Sequence, residues 1–172
     1  STSSQDAAGP PAPPSLPIVK AMSPFLSVTE GDGGQIVTCM DREGQRMSTE
    51  WDGVRFDIGV PDLCDFCRDN NKPMGFYYEI FQLTAGICRI GWSTRDASLR
   101  LATDALGVGY GGTGKKSHCG QFTKYGQAFG AGDTIGCLLA FVPCTHAGLP
   151  FRACFQFYKN GVSFGEAWPD SP

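Results

Sequence analysis

Residues 107–118 read GVGYGGTGKKSH, and the fold turns on whether this run is a phosphate-binding loop or part of a sheet. A Walker A loop, G-x-x-x-x-G-K-[ST], cradles phosphates with backbone N–H groups, sends its Lys to the outer phosphates and holds Mg²⁺ on a hydroxyl. Gly109, Gly114 and Lys115 fit that spacing, but Lys116 stands where the hydroxyl belongs and Ser117 comes one residue late. A P-loop also joins a buried parallel strand to a helix N-terminus. The residues that follow, HCGQFTKYGQAFGAGD, repeat glycine and carry no 3.6-residue period. The stretch therefore reads as a glycine-rich turn region, and nucleotide binding by this loop is set aside.

Working outward, the chain is a series of short strands with turn punctuation. GQIVTCM (34–40) alternates, Asp41 to Gly44 supply a turn, and QRMSTEW (45–51) is expected to return as the second arm of a hairpin. GFYYEIFQL (75–83) and ICRIGW (87–92) are expected to pair across Thr84-Ala85-Gly86. DTIGCLLAFV (133–142) and ACFQFYK (153–159) follow, and Asn160-Gly161 is a two-residue hairpin signal before VSFGEAW. Only DASLRLAT (96–103) offers a helical turn, with Asp96 as its N-cap. No strand alternates with a long amphipathic helix, so a parallel nucleotide-binding sheet is not supported and an antiparallel β-sandwich fits best.

Composition agrees. The chain has 172 residues, enough for one domain with a real core, and its 23 Gly and 12 Pro suit a loop-rich β domain. A formal net charge of −3 argues against a protein that coats nucleic acid over its whole surface, though it leaves room for a local basic patch. Four of the eight cysteines (39, 88, 137, 154) sit in apolar runs, where Cys behaves as a small hydrophobe. Reduced thiols and an intracellular home, nucleus or cytoplasm, are expected. No apolar run reaches 18 residues, so no membrane-spanning segment is expected. Residues 1–17 hold five prolines and one charge and read as a Pro-rich linker, with the ordered domain filling 18–172. A first residue other than Met reads as a piece of something longer.

Taken in order, Gly91-Trp92-Ser93, GGTGKKSH, Tyr125-Gly126, DTIGC (133–137) and Lys159-Asn160-Gly161 resemble a SPRY domain. The stretch GWSTRDASLRLATDALGVGYGGTGKKSH narrows the resemblance to the SPRY domain inserted in the helicase core of one DEAD-box RNA helicase subfamily. Glu50-Trp51-x-Gly53-x-Arg55 and Tyr77-Tyr78-Glu79 look like it too, and the similarity covers roughly 34–168. It implies a bent sandwich of two antiparallel sheets that binds protein partners through loops at one edge. The parent would be an ATP-dependent RNA helicase within an RNA-processing complex. Residues 59–74 look longer than the corresponding connection, and the closing strands of a complete SPRY domain would lie beyond Trp168. The rival reading is a SPRY adaptor from an unrelated chromatin or ribonucleoprotein component.

Catalytic chemistry finds no footing in this segment. There is no DEAD tetrapeptide, no complete Walker A and no Ser-Ala-Thr motif, so ATP and Mg²⁺ would belong to the parent, and no cofactor is expected here. GWSTR opens like the nucleophile elbow G-x-S-x-G, but Arg95 replaces the Gly that permits the sharp turn. Cys64-x-x-Cys67 is half a tetrahedral zinc site, and neither Cys144-x-His146 nor His118-Cys119 completes it at zinc-ribbon spacing. The candidate contact surface is the basic loop: Lys115, Lys116, His118 and Lys124 interleave with Phe122 and Tyr125, a mixture able to hold phosphates or acidic protein and to stack bases. Tyr77 is a second candidate, because Phe76, Tyr77 and Tyr78 cannot all face inward in one strand. Arg89, in a strand beside Gly91, could instead pair with an acidic neighbour such as Asp133. Trp92 and Trp51 are both expected in the core, and changing Lys115 and Lys116 together to Glu is expected to spare the fold.

Overall fold

A computed structural model describes residues 17–32, 34–39, 51–57, 60, 74–144 and 151–169. Twelve strands and no helix occur among them. One four-stranded antiparallel sheet, sheet I, has the order β12 (Val162–Glu166), β11 (Phe151–Lys159), β10 (Thr134–Pro143), β5 (Met74–Phe81). Sheet II has the order β6 (Arg89–Ser93), β7 (Gly107–Gly111), β8 (Lys115–His118), β9 (Gln121–Lys124). Two short ladders precede them, β1 (Ile18–Met22) with β4 (Val54–Asp57) and β2 (Leu26–Gly31) with β3 (Gly34–Cys39). The expected all-β antiparallel sandwich is what forms.

Alternation puts the core between the two sheets. Ile135, Cys137, Leu139 and Phe141 project inward from β10, and Phe157 and Phe151 from β11, while the residues between them face out. Sheet II contributes Tyr110, fully buried, with its ring 5.4 Å from Phe157 and 5.3 Å from Phe129. Tyr78 on β5 ties the layers: its hydroxyl donates to Gly91 O at 2.7 Å and accepts from Gly91 N at 3.1 Å, and its ring meets Trp92 edge-on at 5.2 Å. Trp92 packs against both buried clusters and is a core residue as expected.

Three local expectations are corrected. β5 and β6 do not pair; β5 pairs with β10 and β6 with β7. Residues 82–88 instead cross from one sheet to the other, organised by the Gln82 side-chain amide, which donates to Thr84 O and Gly86 O at 3.0 and 2.9 Å. Among the described residues β3 pairs with β2, on its N-terminal side. The expected return arm at 45–51 lies outside the described residues except for Trp51, which is not in a strand. Residues 96–103 make successive turns and no helix; the cap is supplied by Asp104, whose carboxylate accepts from Ser98 N at 2.7 Å and Leu106 N at 2.9 Å. Those bonds hold its pKa below the usual carboxylate value. Lys115–His118 is a strand and not a loop. It turns into β9 through Cys119 and Gly120, both at positive φ (49° and 71°), the two-residue turn that suits the twist of a hairpin. Asn160-Gly161, at φ 51° and 79°, makes the same turn between β11 and β12, as its sequence signal predicts.

Candidate interaction surface

The strand register divides the basic segment. Trp92 opposes Val108, Ile90 opposes Tyr110, and Val108 and Tyr110 oppose His118 and Lys116, so all six lie on the core side of sheet II. The other side carries Arg89, Gly109, Gly111, Lys115, Ser117 and, across the last ladder, Phe122 and Lys124. The G-x-G-x-G of β7 is thus a strand whose outer side is bare. A side chain at Gly109 would collide with Arg89, whose Cδ and Cγ lie 2.9 and 3.0 Å from the position a Cβ would take. Glycine there lets the arginine stem lie flat across the sheet.

Arg89 organises this outer face. Its guanidinium lies 4.9 Å from the centre of the Trp51 ring and 4.8 Å from that of Phe122, a cation between two aromatic faces. Nη1 donates to Leu101 O at 2.6 Å, its sole hydrogen bond among the described residues. Partial burial pulls its pKa down from the ordinary value, although a guanidinium stays charged throughout the physiological range. The recess beside it, about 220 Å³, is lined by Trp51, Ile87, Arg89, Thr113, Lys115 and Phe122. Three of these are apolar and well exposed: Trp51 at 40%, Phe122 at 49% and Ile87 at 67%. No described carboxylate lies within ion-pair distance of Arg89, Lys115 or Lys124.

The remaining predicted residues go elsewhere. Lys116 Nζ donates to Ala167 O, and the ammonium sits 5.3 Å from the Trp168 ring centre and 5.8 Å from that of Tyr125. The Tyr125 hydroxyl donates to Gly165 O and accepts from Phe157 N at 3.2 Å, its ring is 5.9 Å from Phe164, and burial pushes its pKa up to about 12. His118 Nδ1 is 3.0 Å from Gly107 O; a carbonyl only accepts, so that nitrogen carries the proton. Tyr77 lies on the outer side of sheet I, across the sandwich from Lys115, over Gly136, with its hydroxyl donating to Glu79 Oε1 at 2.7 Å. Burial and that carboxylate raise its pKa to about 12. Of the six predicted contact residues, only Lys115 and Lys124 share the outer face of sheet II.

Two expectations about neighbours are corrected. Arg89 does not pair with Asp133: that carboxylate is taken by Lys159 Nζ at 3.1 Å and Asn160 Nδ2 at 2.9 Å, at the hairpin end of sheet I. Trp51 is not in the sandwich interior but lies on Arg89. Register would have found Arg89, since it pairs with Gly111 and so shares the outer face with the glycines of β7, whereas nothing local in sequence places Trp51 there. Cys64 and Cys67 lie outside the described residues. Among the described residues no cluster of His, Cys, Asp or Glu is placed to hold a metal ion. Cys88, Cys119, Cys137 and Cys154 are free thiols, and burial drives that of Cys137 up to about 12, which leaves it unreactive.

The SPRY domain family model matches residues 75–170. The chain is 46% identical over 135 residues to the ATP-dependent RNA helicase Ddx1 of Drosophila melanogaster, covering 77% of this chain and 15% of the helicase. Against ATP-dependent RNA helicase DDX1 of Xenopus laevis it is 40% identical over 136 residues, 79% of this chain and 15% of the relative. It is also 30% identical over 127 residues to heterogeneous nuclear ribonucleoprotein U-like protein 2 of Mus musculus, 72% of this chain and 16% of that protein. The chain therefore spans about a seventh of the length of the curated relatives it matches. With the sandwich in place and both helicase relatives aligned over more than three quarters of it, the chain belongs to the SPRY-domain family and is similar to these ATP-dependent RNA helicases.

Proposed function

We propose that this chain is the non-catalytic interaction domain of an ATP-dependent RNA helicase, and that it meets protein partners on the outer face of sheet II. One observation carries the reading. Arg89, Lys115 and Lys124 lie on the same face as the exposed rings of Trp51 and Phe122, and no described carboxylate neutralises them. An exposed apolar surface rimmed by uncompensated charge is the physical mark of a contact site. The same mixture of cations and aromatics supports a second role, helping the helicase core engage RNA through phosphate contacts. ATP and Mg²⁺ would act in the parent's core, and the domain would share the parent's place in the nucleus or cytoplasm.

The test is site-specific photo-crosslinking from a photoreactive phenylalanine placed at Phe122 and, separately, at Tyr77. Partners captured from position 122 and not from position 77 are the expected result. Capture from position 77 alone would move the contact face to sheet I.

A further inference from the structure

We infer that β9 is a docking edge to which an acidic, extended peptide segment of a protein partner adds as a fifth strand of sheet II. The inference rests on the reading that the outer face of sheet II is the contact face, and it names the chemistry of what binds there. Among the described residues β9 pairs only with β8, and all four of its residues, Gln121 to Lys124, are exposed. Among the described residues it is the last strand of its sheet, and none of them pairs with its far edge.

Which backbone groups face that edge follows from the turn. A two-residue turn makes His118 and Gln121 a hydrogen-bonded pair, after which bonded and non-bonded pairs alternate along an antiparallel ladder. Ser117–Phe122 and Lys115–Lys124 are then the non-bonded pairs, and the next, Gly114–Tyr125, should be bonded. Tyr125 N does donate to Gly114 O, at 3.2 Å. The N–H and C=O groups of Phe122 and Lys124 therefore point away from β8, toward the open edge. An incoming strand would take up those four groups.

Charge selects the strand. Side chains directly opposite one another in a ladder share a face, so residues paired with Phe122 and Lys124 would stand beside those side chains, on the side of Lys115 and Arg89. A carboxylate opposite Lys124 and an apolar side chain opposite Phe122, two residues apart, satisfy both. A second copy of this edge, added antiparallel so that all four groups are used, would set each Lys124 opposite a Phe122 and would offer neither lysine a carboxylate. Polypeptide is favoured over RNA because the open groups are those of a strand ladder, and because the Trp51 and Phe122 faces nearest the cation are already covered by Arg89.

The probe is a fluorescein-labelled nine-residue peptide alternating Glu with Val and Thr, titrated by anisotropy at low and physiological salt. Its control carries N-methyl groups on alternate backbone nitrogens. Amide exchange of the protein is followed in parallel, with labelled single-stranded RNA as a competitor. The expected result is binding that weakens with salt, falls at least tenfold on N-methylation and on Lys124→Glu, and slows amide exchange at Phe122 and Lys124. A melting curve establishes that Lys124→Glu is folded. Equal binding of the N-methylated peptide would overturn strand addition while leaving the outer face as a charged contact surface. RNA binding without peptide binding would overturn the peptide class, and binding of neither probe, together with crosslinks from Tyr77 alone, would overturn both readings.

Discussion

Lys115 and Lys116 are adjacent in sequence and belong to different regions of the molecule. Lys115 stands exposed on the outer face of sheet II, at the margin of the recess with Arg89 and Phe122. Lys116 folds over the inner rim, where Ala167 O, the Trp168 ring and the Tyr125 ring take up its charge. The same contrast separates two arginines. Arg55 spends its guanidinium on Ser93 Oγ, Arg95 O, Ala97 O and Ser98 O, which pins the 94–106 turns to β4. Arg89 spends one donor and keeps an edge free. A cation whose charge is taken up inside the chain contributes to stability, and one that is left over is available to a partner.

The inner rim depends on what lies beneath it, so its failure should be the largest effect. Tyr110 is fully buried and meets Tyr125, Phe129, Phe157 and Phe164 at ring separations of 5.3 to 5.8 Å. Tyr110→Ala should cost roughly 3–5 kcal/mol, as truncation of a buried aromatic does. Chemical denaturation measures it, and a loss below about 1 kcal/mol would mean the rim stands without its floor. Lys116→Met comes next. The substitution keeps an aliphatic stem against Trp168 but leaves the carbonyl of buried Ala167 without its donor, a loss of about 1–3 kcal/mol. An unchanged unfolding midpoint would place Lys116 with Lys115 as a surface charge and erase the contrast.

The rim should also show an alkaline limb. Burial raises the Tyr110 and Tyr125 hydroxyls from 10.0 to about 12 in the folded chain. Below pH 10 both states hold these protons and the stabilisation is complete. Between pH 10 and 12 the unfolded chain releases them while the folded chain does not, so stability falls as pH rises. Denaturant midpoints at pH 9 and pH 11 measure the drop, which Tyr125→Phe should reduce. A drop that the variant leaves untouched would show that Tyr125 titrates alike in both states.

Much of the fold was legible because period-two patterns and turn pairs are local. Ile135 to Phe141 alternate, and Asn160-Gly161 supplies two residues able to take positive φ. Strand partnership was not legible: residues 82–88 look like a hairpin loop, and only the packing of Tyr78 onto Gly91 and Trp92 from the facing sheet shows that the chain changes layer there. The site was half legible. Composition marks KKSHCGQFTK as basic and aromatic, and the alternation that sends neighbours to opposite faces separates Lys115 from Lys116 once the segment is known to be a strand. Trp51 escaped altogether, since an exposed tryptophan on an arginine and a core tryptophan look the same in sequence.

The smallest structural effect should come from Lys115→Glu, and its smallness carries the comparison. The side chain is exposed on the outer face and has no described carboxylate partner, so stability should move by under about 0.5 kcal/mol, an order of magnitude below the Tyr110 truncation. Reversing its sign places a negative charge beside Arg89 and Lys124, which should weaken an acidic ligand through lost attraction, most strongly at low salt. Thermal melting and anisotropy on the same sample separate the two. Unchanged melting with weakened binding would make the outer face a surface whose charge is held for a partner. A destabilisation equal to that of Lys116→Met would show Lys115 to be tied into the fold, and the two lysines would then differ in position and not in role.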